Sequence, residues 1–183
     1  MSHLPTHYNM TIAGLERQLP LCPLNDKVSI GAFVIFGDVE LTVASATELL
    51  KKAPAFDVII TAEAKGIPLA YEMARQSEKP YFIARKYPKL YMKDLIRVDV
   101  KSITTDKVQT LYLDGEEGEK MRGKRVLVID DVISTGESLR AVEELVKTAG
   151  GIVCGRGAIL AEGDATERED IFYLEPLPLF FAD

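Results

Sequence analysis

Arg125 to Leu139 reads RVLVIDDVISTGESL, and its three parts decide the fold. The run RVLVI is short, apolar and β-branched, the composition of a strand buried on both faces. Asp130 and Asp131 stand at its carboxyl end. A turn of small and hydroxylated residues follows, and from Leu139 to Lys147 the pattern changes to a helix. There Leu139, Val142, Leu145 and Val146 share one face, and Gly150 suits the stop. Strand, acidic pair, turn and helix in that order describe one unit of an α/β fold.

Ligands of open parallel sheets bind beyond the carboxyl ends of the strands, which puts Asp130 and Asp131 at such a place. The turn Val132, Ile133, Ser134, Thr135, Gly136, Glu137 and Ser138 offers backbone N–H groups and hydroxyls at a helix N-terminus, a ready site for a phosphate dianion. A phosphorylated sugar satisfies both features, its vicinal hydroxyls donating to the carboxylates and its terminal phosphate resting in the turn. A magnesium or phosphoacceptor site of response-regulator type also uses paired aspartates. A Walker loop is excluded because Gly-Lys-Ser/Thr is missing, and the dinucleotide pattern GxGxxG is absent.

Working outward, apolar runs at Phe56 to Thr61, Tyr81 to Ala84 and Ile152 to Leu160 read as further buried strands beside Val126 to Ile129. Ala44 to Lys52 and Pro68 to Arg75 read as helices between them, so the fold class is α/β with a central parallel sheet flanked by helices. Ile96 to Leu113 is strand-prone on both sides of Thr104 to Lys107, as in a hairpin arm. The charged stretch DGEEGEKMRGKR, Asp114 to Arg125, holds three glycines and is expected to be mobile in part, giving a flexible loop over about 96–120. The first forty residues and the C-terminal stretch from about 160 to 183 read as irregular pieces packed over one end of the sheet, a small hood that selects the substrate.

At 183 residues, with 47% hydrophobic and 27% charged residues, the chain has the size and composition of a single domain, 1–183. A net charge of −6 argues against a nucleic-acid surface. The segment Met1 to Pro20 lacks the basic start and apolar run of a signal peptide, and no stretch approaches the roughly 18 apolar residues of a membrane span, so a cytoplasmic protein is expected. Cys22 and Cys154 lie in apolar contexts that suit buried thiols. His3 and His7 both fall in the N-terminal segment, so no His triad or His-based zinc site finds its parts.

The segment from Arg125 to Leu139 closely resembles the diphosphate-sugar signature of type I phosphoribosyltransferases: apolar strand, Asp-Asp, then a phosphate loop ending Thr-Gly-x-Ser. TAEAKGIPLA, Thr61 to Ala70, resembles the same family's pyrophosphate loop, with Glu63, Ala64, Lys65 and Gly66 at the turn and Ala64 to Lys65 a candidate for a cis peptide. Arg85, Lys86 and Lys89 in ARKYPKL resemble the Arg-Lys-x-x-Lys segment of adenine and xanthine phosphoribosyltransferases. These resemblances imply transfer of ribosyl phosphate from 5-phosphoribosyl-1-diphosphate to a purine base, releasing pyrophosphate. They imply Asp130, Asp131 and Lys86 as catalytic residues, with Lys65, Arg85, Lys86 and Lys89 on the leaving group. Magnesium is implied as a cofactor held by the donor and water, with no direct protein ligand assigned, and a homodimer is the implied assembly.

For base choice, FVIFGD, Phe33 to Asp38, resembles a stretch of adenine enzymes whose aromatic ring stacks on the base. That implies Phe36 as the ring, Ile35 and Gly37 as backbone readers and Leu160 as a facing wall. Ser134 stands where hypoxanthine-guanine enzymes carry an acid, and no lysine follows Lys147. Adenine is therefore the expected base and xanthine the alternative. In the arm, Ser102-Ile103-Thr104-Thr105 replaces the Ser-x-Glu-Tyr of adenine enzymes, and the hairpin around Lys101 to Lys107 is the expected closing loop. A non-catalytic regulator that senses the diphosphate sugar is the rival from another class; the roughly thirty residues ahead of Phe33 are too few for the winged-helix domain such regulators carry.

Overall fold

The computed structural model describes residues 6–102 and 107–181. In chain order the elements are β1 (His7–Ile12), β2 (Leu15–Pro23), β3 (Val28–Gly31), α1 (Val39–Lys52), β4 (Val58–Ala62), α2 (Ile67–Ser77) and β5 (Tyr81–Ala84). A hairpin of β6 (Ile96–Lys101) and β7 (Val108–Leu113) follows, then α3 (Gly115–Met121), β8 (Arg125–Ile133), α4 (Glu137–Thr148), β9 (Ile152–Glu162), β10 (Phe172–Leu177) and β11 (Leu179–Phe181).

The four apolar runs read from sequence pair in parallel, and β10, from the C-terminal stretch expected to be irregular, adds an edge strand, so that among the described residues the sheet has five strands in the order β10-β9-β8-β4-β5. Strands β4 and β8 lie inside it and are buried on both faces, which is why their sequences are continuously apolar rather than alternating. Successive side chains still point to opposite faces. Val58, Ile60, Val126 and Val128 pack with α4, the hairpin and Met121 of α3. Ile59, Leu127 and Ile129 pack with Leu41, Ala46 and Leu49 of α1 and with Leu69 and Met73 of α2.

Local signals set the helix ends. Asp38 caps α1 by accepting from the Leu41 amide at 3.0 Å, and Lys51 and Lys52 sit in its last turn, each charge opposing the end dipole beside it. Pro68 occupies the first turn of α2. Helix α1 begins five residues before the expected Ala44, at the Asp38 cap, and α2 runs two residues past the expected Arg75.

Two regions depart from expectation. The N-terminal residues do not form irregular pieces: β1, β2 and β3 make an antiparallel sheet that β11 completes, with Leu179 opposite Ile30 and Phe181 opposite Val28. Half-buried strands with one wet face carry few apolar residues, and here Ile12 and Leu19 supply the buried side. The ring of Tyr8 meets Phe180 edge-on at 5.0 Å. The hood is clipped to the start of α1 by Arg17 of β2, whose Nε and Nη2 donate to Asp38 at 2.7 and 3.1 Å and whose Nη2 also reaches Glu40.

The charged stretch after the hairpin is α3. Asp114 caps it by accepting from the Glu116 amide at 2.9 Å, Glu116 and Glu117 lie in its first turn, and Met121 is fully buried. The hairpin arm itself is present as expected, with Ile96 opposite Leu113 and Lys101 opposite Val108. Of its expected turn, Thr104 to Lys107, all but Lys107 lies outside the described residues. Cys22 is exposed rather than buried, being near the end of β2, and Cys154 is partly buried. No helix among the described residues is long and apolar enough to cross a membrane.

Because Leu127 is fully buried in β8 against both helices of its face, Leu127→Ala is expected to cost about 3 kcal/mol. Urea denaturation at equilibrium measures it through a lower midpoint at an unchanged slope.

Candidate functional site

Parallel pairing brings the carboxyl ends of β4, β8 and β9 to one edge, and the loops leaving them enclose a cavity of about 540 Å³. Strand β8 delivers Asp130, Asp131 and Val132 to its wall, and the turn into α4 delivers Ser134 and Ser138. Gly136 caps α4 with φ of 77°, a left-handed conformation that a Cβ would strain, and no side chain caps the helix in its place. Glycine offers no capping side chain, so the amides that follow Glu137 in the first turn are available to an anion.

The loop after β4 brings Glu63, Ala64 and Lys65 to the opposite wall. The cis peptide lies between Glu63 and Ala64, one bond earlier than the Ala64 to Lys65 link expected. Gly66 lies behind, where a Cβ would stand 2.2 Å from Thr61 Oγ1 and 3.4 Å from the Asp130 Cα. Thr61 is fully buried, so it has no room to yield. The bare backbone at Gly66 lets the loop lie directly on the end of β8.

The electrostatics are those of a desolvated acidic pair facing the Lys65 ammonium. Asp131 is 3% exposed, and the Lys65 ammonium lies 3.4 Å from its Oδ2, an ion pair that leaves this oxygen without an aligned hydrogen bond. Asp130 accepts from the Asp131 amide at 2.8 Å. Its carboxyl is pushed up to about 8, first by burial and then by the charge and hydrogen bond of Asp131, with the Asp131 amide and Lys65 opposing. Burial also raises Glu63, but the Lys86 amide at 3.0 Å and the Arg85 guanidinium at 2.9 Å outweigh it and hold its carboxyl below the usual range.

Among the expected pyrophosphate residues, Lys65 and Lys86 line the cavity. Arg85 stands behind Glu63, its backbone paired with Tyr112 of β7 by two bonds of 2.8 Å that fasten the arm to the sheet. Lys89 lies outside the cavity wall and acts on Glu63 through its charge. In the phosphate loop, Ile133 turns into the core. The side chain of Glu137 turns to the arm, where Ser102 donates to it, and Thr135 Oγ1 accepts weakly from the Glu137 amide.

The expected base residues are not gathered at the cavity. Ile35 and Leu160 are fully buried in the core, and Phe36 is 52% exposed at the turn that Gly37 makes before α1. The chain meets the cavity a few residues earlier, through Ile30 to Val34, because β3 ends there over the site. Leu177 and Glu162 complete that wall. Of these, sequence reasoning reached only Phe33 and Val34, as the start of the FVIFGD stretch, and missed the rest, since only the pairing of β3 with β11, and of β10 with β9, brings them to the site.

Comparison with known proteins agrees with this geometry. The family described as "Phosphoribosyl transferase domain" matches residues 45–175. A hypoxanthine/guanine phosphoribosyltransferase of Methanothermococcus okinawensis is 30% identical over 162 residues, covering 84% of this chain and 85% of that protein. A xanthine phosphoribosyltransferase of an Exiguobacterium species is 33% identical over 116 residues; the match takes in 63% of this chain and spans 59% of that protein's length. Among solved structures, an adenine phosphoribosyltransferase from Thermoanaerobacter pseudethanolicus superposes with a TM-score of 0.72 at 21% identity, over 86% of this chain and 95% of that one.

Two measurements test the site. Gly66→Ala is expected to cost about 1–3 kcal/mol by overpacking against Thr61 and the β8 backbone, seen as a lower urea midpoint. Asp130 carries a sign that can be checked: unfolded, it ionises near 4, whereas folded it stays protonated to about 8. Its contribution to stability is therefore fullest below about pH 4 and is lost as pH rises toward 8. Asp130→Asn should raise the melting temperature at pH 8 and change it little at pH 4; an equal shift at both would refute the assignment.

Proposed function

The chain belongs to the phosphoribosyltransferase family, and from that membership we propose that it transfers a phosphoribosyl group from 5-phosphoribosyl-1-diphosphate to a purine base, adenine first. The observation that carries this reading is the meeting, in one cavity, of the buried carboxylate pair, an uncapped helix N-terminus and a cationic loop. Each matches one part of the donor. Asp130 and Asp131 would accept from the ribose 2- and 3-hydroxyls, the amides and hydroxyls from Ser134 to Ser138 would hold the 5-phosphate, and Lys65 and Lys86 would face the diphosphate.

In the reaction a base nitrogen forms the bond to the anomeric carbon as the bond to pyrophosphate breaks on the opposite face, with inversion. Positive charge grows on the ribose and negative charge on the departing oxygens. The aspartates lie under the ring and the lysines at the leaving group, so both charges develop beside preplaced partners. Holding donor and base in line supplies much of the remaining rate.

Magnesium is part of the proposal. The proposed ion is carried by the diphosphate and water, as magnesium commonly is. Bound there, the ion would supply positive charge to the leaving group. The β6–β7 arm is the proposed lid, excluding water that would hydrolyse the activated sugar. Its contact with the phosphate loop through Ser102 and Glu137 supports that role. A cytoplasmic homodimer is proposed, with exposed Tyr71, Tyr87, Leu90 and Tyr91 as the apolar surface available for pairing.

Adenine is favoured by Ser134 in the phosphate loop and by the absence of any lysine after Lys147. A second reading, a 6-oxopurine, is favoured by the names of the relatives most alike in sequence. Pyrophosphate release with magnesium separates them when adenine, xanthine, hypoxanthine and guanine are compared. Turnover with adenine is expected, and Asp131→Asn should lower kcat/KM about 100-fold. Turnover with 6-oxopurines alone moves the assignment to the second reading, and silence with every base despite tight donor binding indicates a sensor.

A further inference from the structure

Four carboxylates border the cavity, and three are engaged within the protein. Asp130 accepts from the Asp131 amide, Asp131 pairs with Lys65, and Glu63 is held by Arg85 and the Lys86 amide. The Glu162 side chain has no hydrogen bond or ion pair among the described residues, although it is only partly exposed and lies on the cavity wall. Burial raises its carboxyl above the usual range, with the charge of Lys65 pulling the other way. A carboxylate partly removed from water with nothing donating to it is a net cost to the fold. Such a cost is tolerated where a ligand brings the donors.

Its position says which part of the ligand. Glu162 ends β9 and pairs in register with Leu177 of β10. Leu177 in turn packs under Gly31, where a Cβ would stand 3.2 Å from its Cδ1. Glu162 thus belongs to the hood end of the cavity, with Ile30 to Val34, and Ser134 and Ser138 stand at the phosphate end. A donor sugar laid over Asp130 and Asp131 with its phosphate on Ser134 to Ser138 directs its anomeric carbon, and the base attached there, away from the phosphate end.

Resting on the phosphoribosyltransferase reading above, we propose that Glu162 determines base specificity, accepting a hydrogen bond from an amino group of the purine and rejecting a carbonyl turned toward it. An ionised carboxylate only accepts. The 6-amino group of adenine can donate to it, whereas a 6-oxo group in that place sets acceptor against acceptor. Sites built around such a polar pairing discriminate steeply, because the mismatched ligand leaves buried groups unpaired.

The test reads binding as well as catalysis. Affinities for AMP, IMP, GMP, XMP and ribose 5-phosphate are measured by calorimetry in wild type, Glu162→Gln and Glu162→Lys, together with kcat/KM for the four bases. Wild type is expected to favour AMP over IMP at least about tenfold. Glu162→Gln, able both to donate and to accept, should bring that ratio close to one, and Glu162→Lys, which only donates, should reverse it. Preference for GMP in wild type that is lost in both variants supports the same role through the 2-amino group. Ribose 5-phosphate has no base, so its affinity reports whether the phosphate end is intact in each variant. A wild-type preference for IMP or XMP, or a ratio within twofold of wild type in both variants, overturns the inference and leaves the phosphoribosyltransferase reading standing. Failure of wild type to bind ribose 5-phosphate and the diphosphate donor overturns that reading and this inference together.

Discussion

Two carboxylates placed side by side at the end of a strand whose body is wholly apolar oppose the folding of the chain around them, and much of the architecture answers that cost. Asp131 is almost completely buried, and Asp130 is kept protonated well past the range where a free aspartate ionises. The single ammonium of Lys65 reaches one of their oxygens across the cavity. A chain selected only for stability would fill this place with apolar side chains. That the acids sit instead on the central strand, paired on both sides by β4 and β9, matches the requirement that a ligand's hydroxyls meet fixed acceptors.

The remaining elements position charge around that pair. Gly66 brings the loop after β4 down onto β8, which places Lys65 over Asp131. Gly136 turns the chain sharply at the start of α4 and leaves its amides uncapped beside Ser134 and Ser138. Glu63 gathers the Lys86 amide and Arg85, and Arg85 is stitched by its backbone to Tyr112, so the arm is fastened to the cationic wall. The hood is tied in similarly, through Arg17 to the residue that caps α1. Cavity, lid and hood are therefore mechanically joined to the two faces of one sheet.

Much of this was legible in the chain because it is local. The strand, acidic pair, turn and helix from Arg125 to Lys147 need only neighbours in sequence to be recognised, and period-two alternation, helical spacing and turn chemistry are all short-range properties. The same holds for β5 and for the hairpin, whose strands fall where their composition indicates. Errors arose where local appearance misleads. Glycines in the stretch from Asp114 to Arg125 suggested mobility, yet an Asp114 cap and a buried Met121 make it a helix. The polar, half-buried strands of the hood carry too few apolar residues to announce themselves.

By itself, then, the sequence determined the α/β class, the order of its main strands and helices, and the phosphate-binding and acidic elements, since each is encoded within about fifteen consecutive residues. Tertiary structure alone decided what forms the far wall of the cavity. Phe36, next to the stretch that does line it, faces solvent, whereas Ile30 to Val34 are joined to Leu177 and Glu162 by the pairing of β3 with β11, whose partners lie more than a hundred positions apart, together with that of β10 with β9. Pairing at that range is set by how whole elements pack and close the sheet, and a single chain read residue by residue carries no local mark of it.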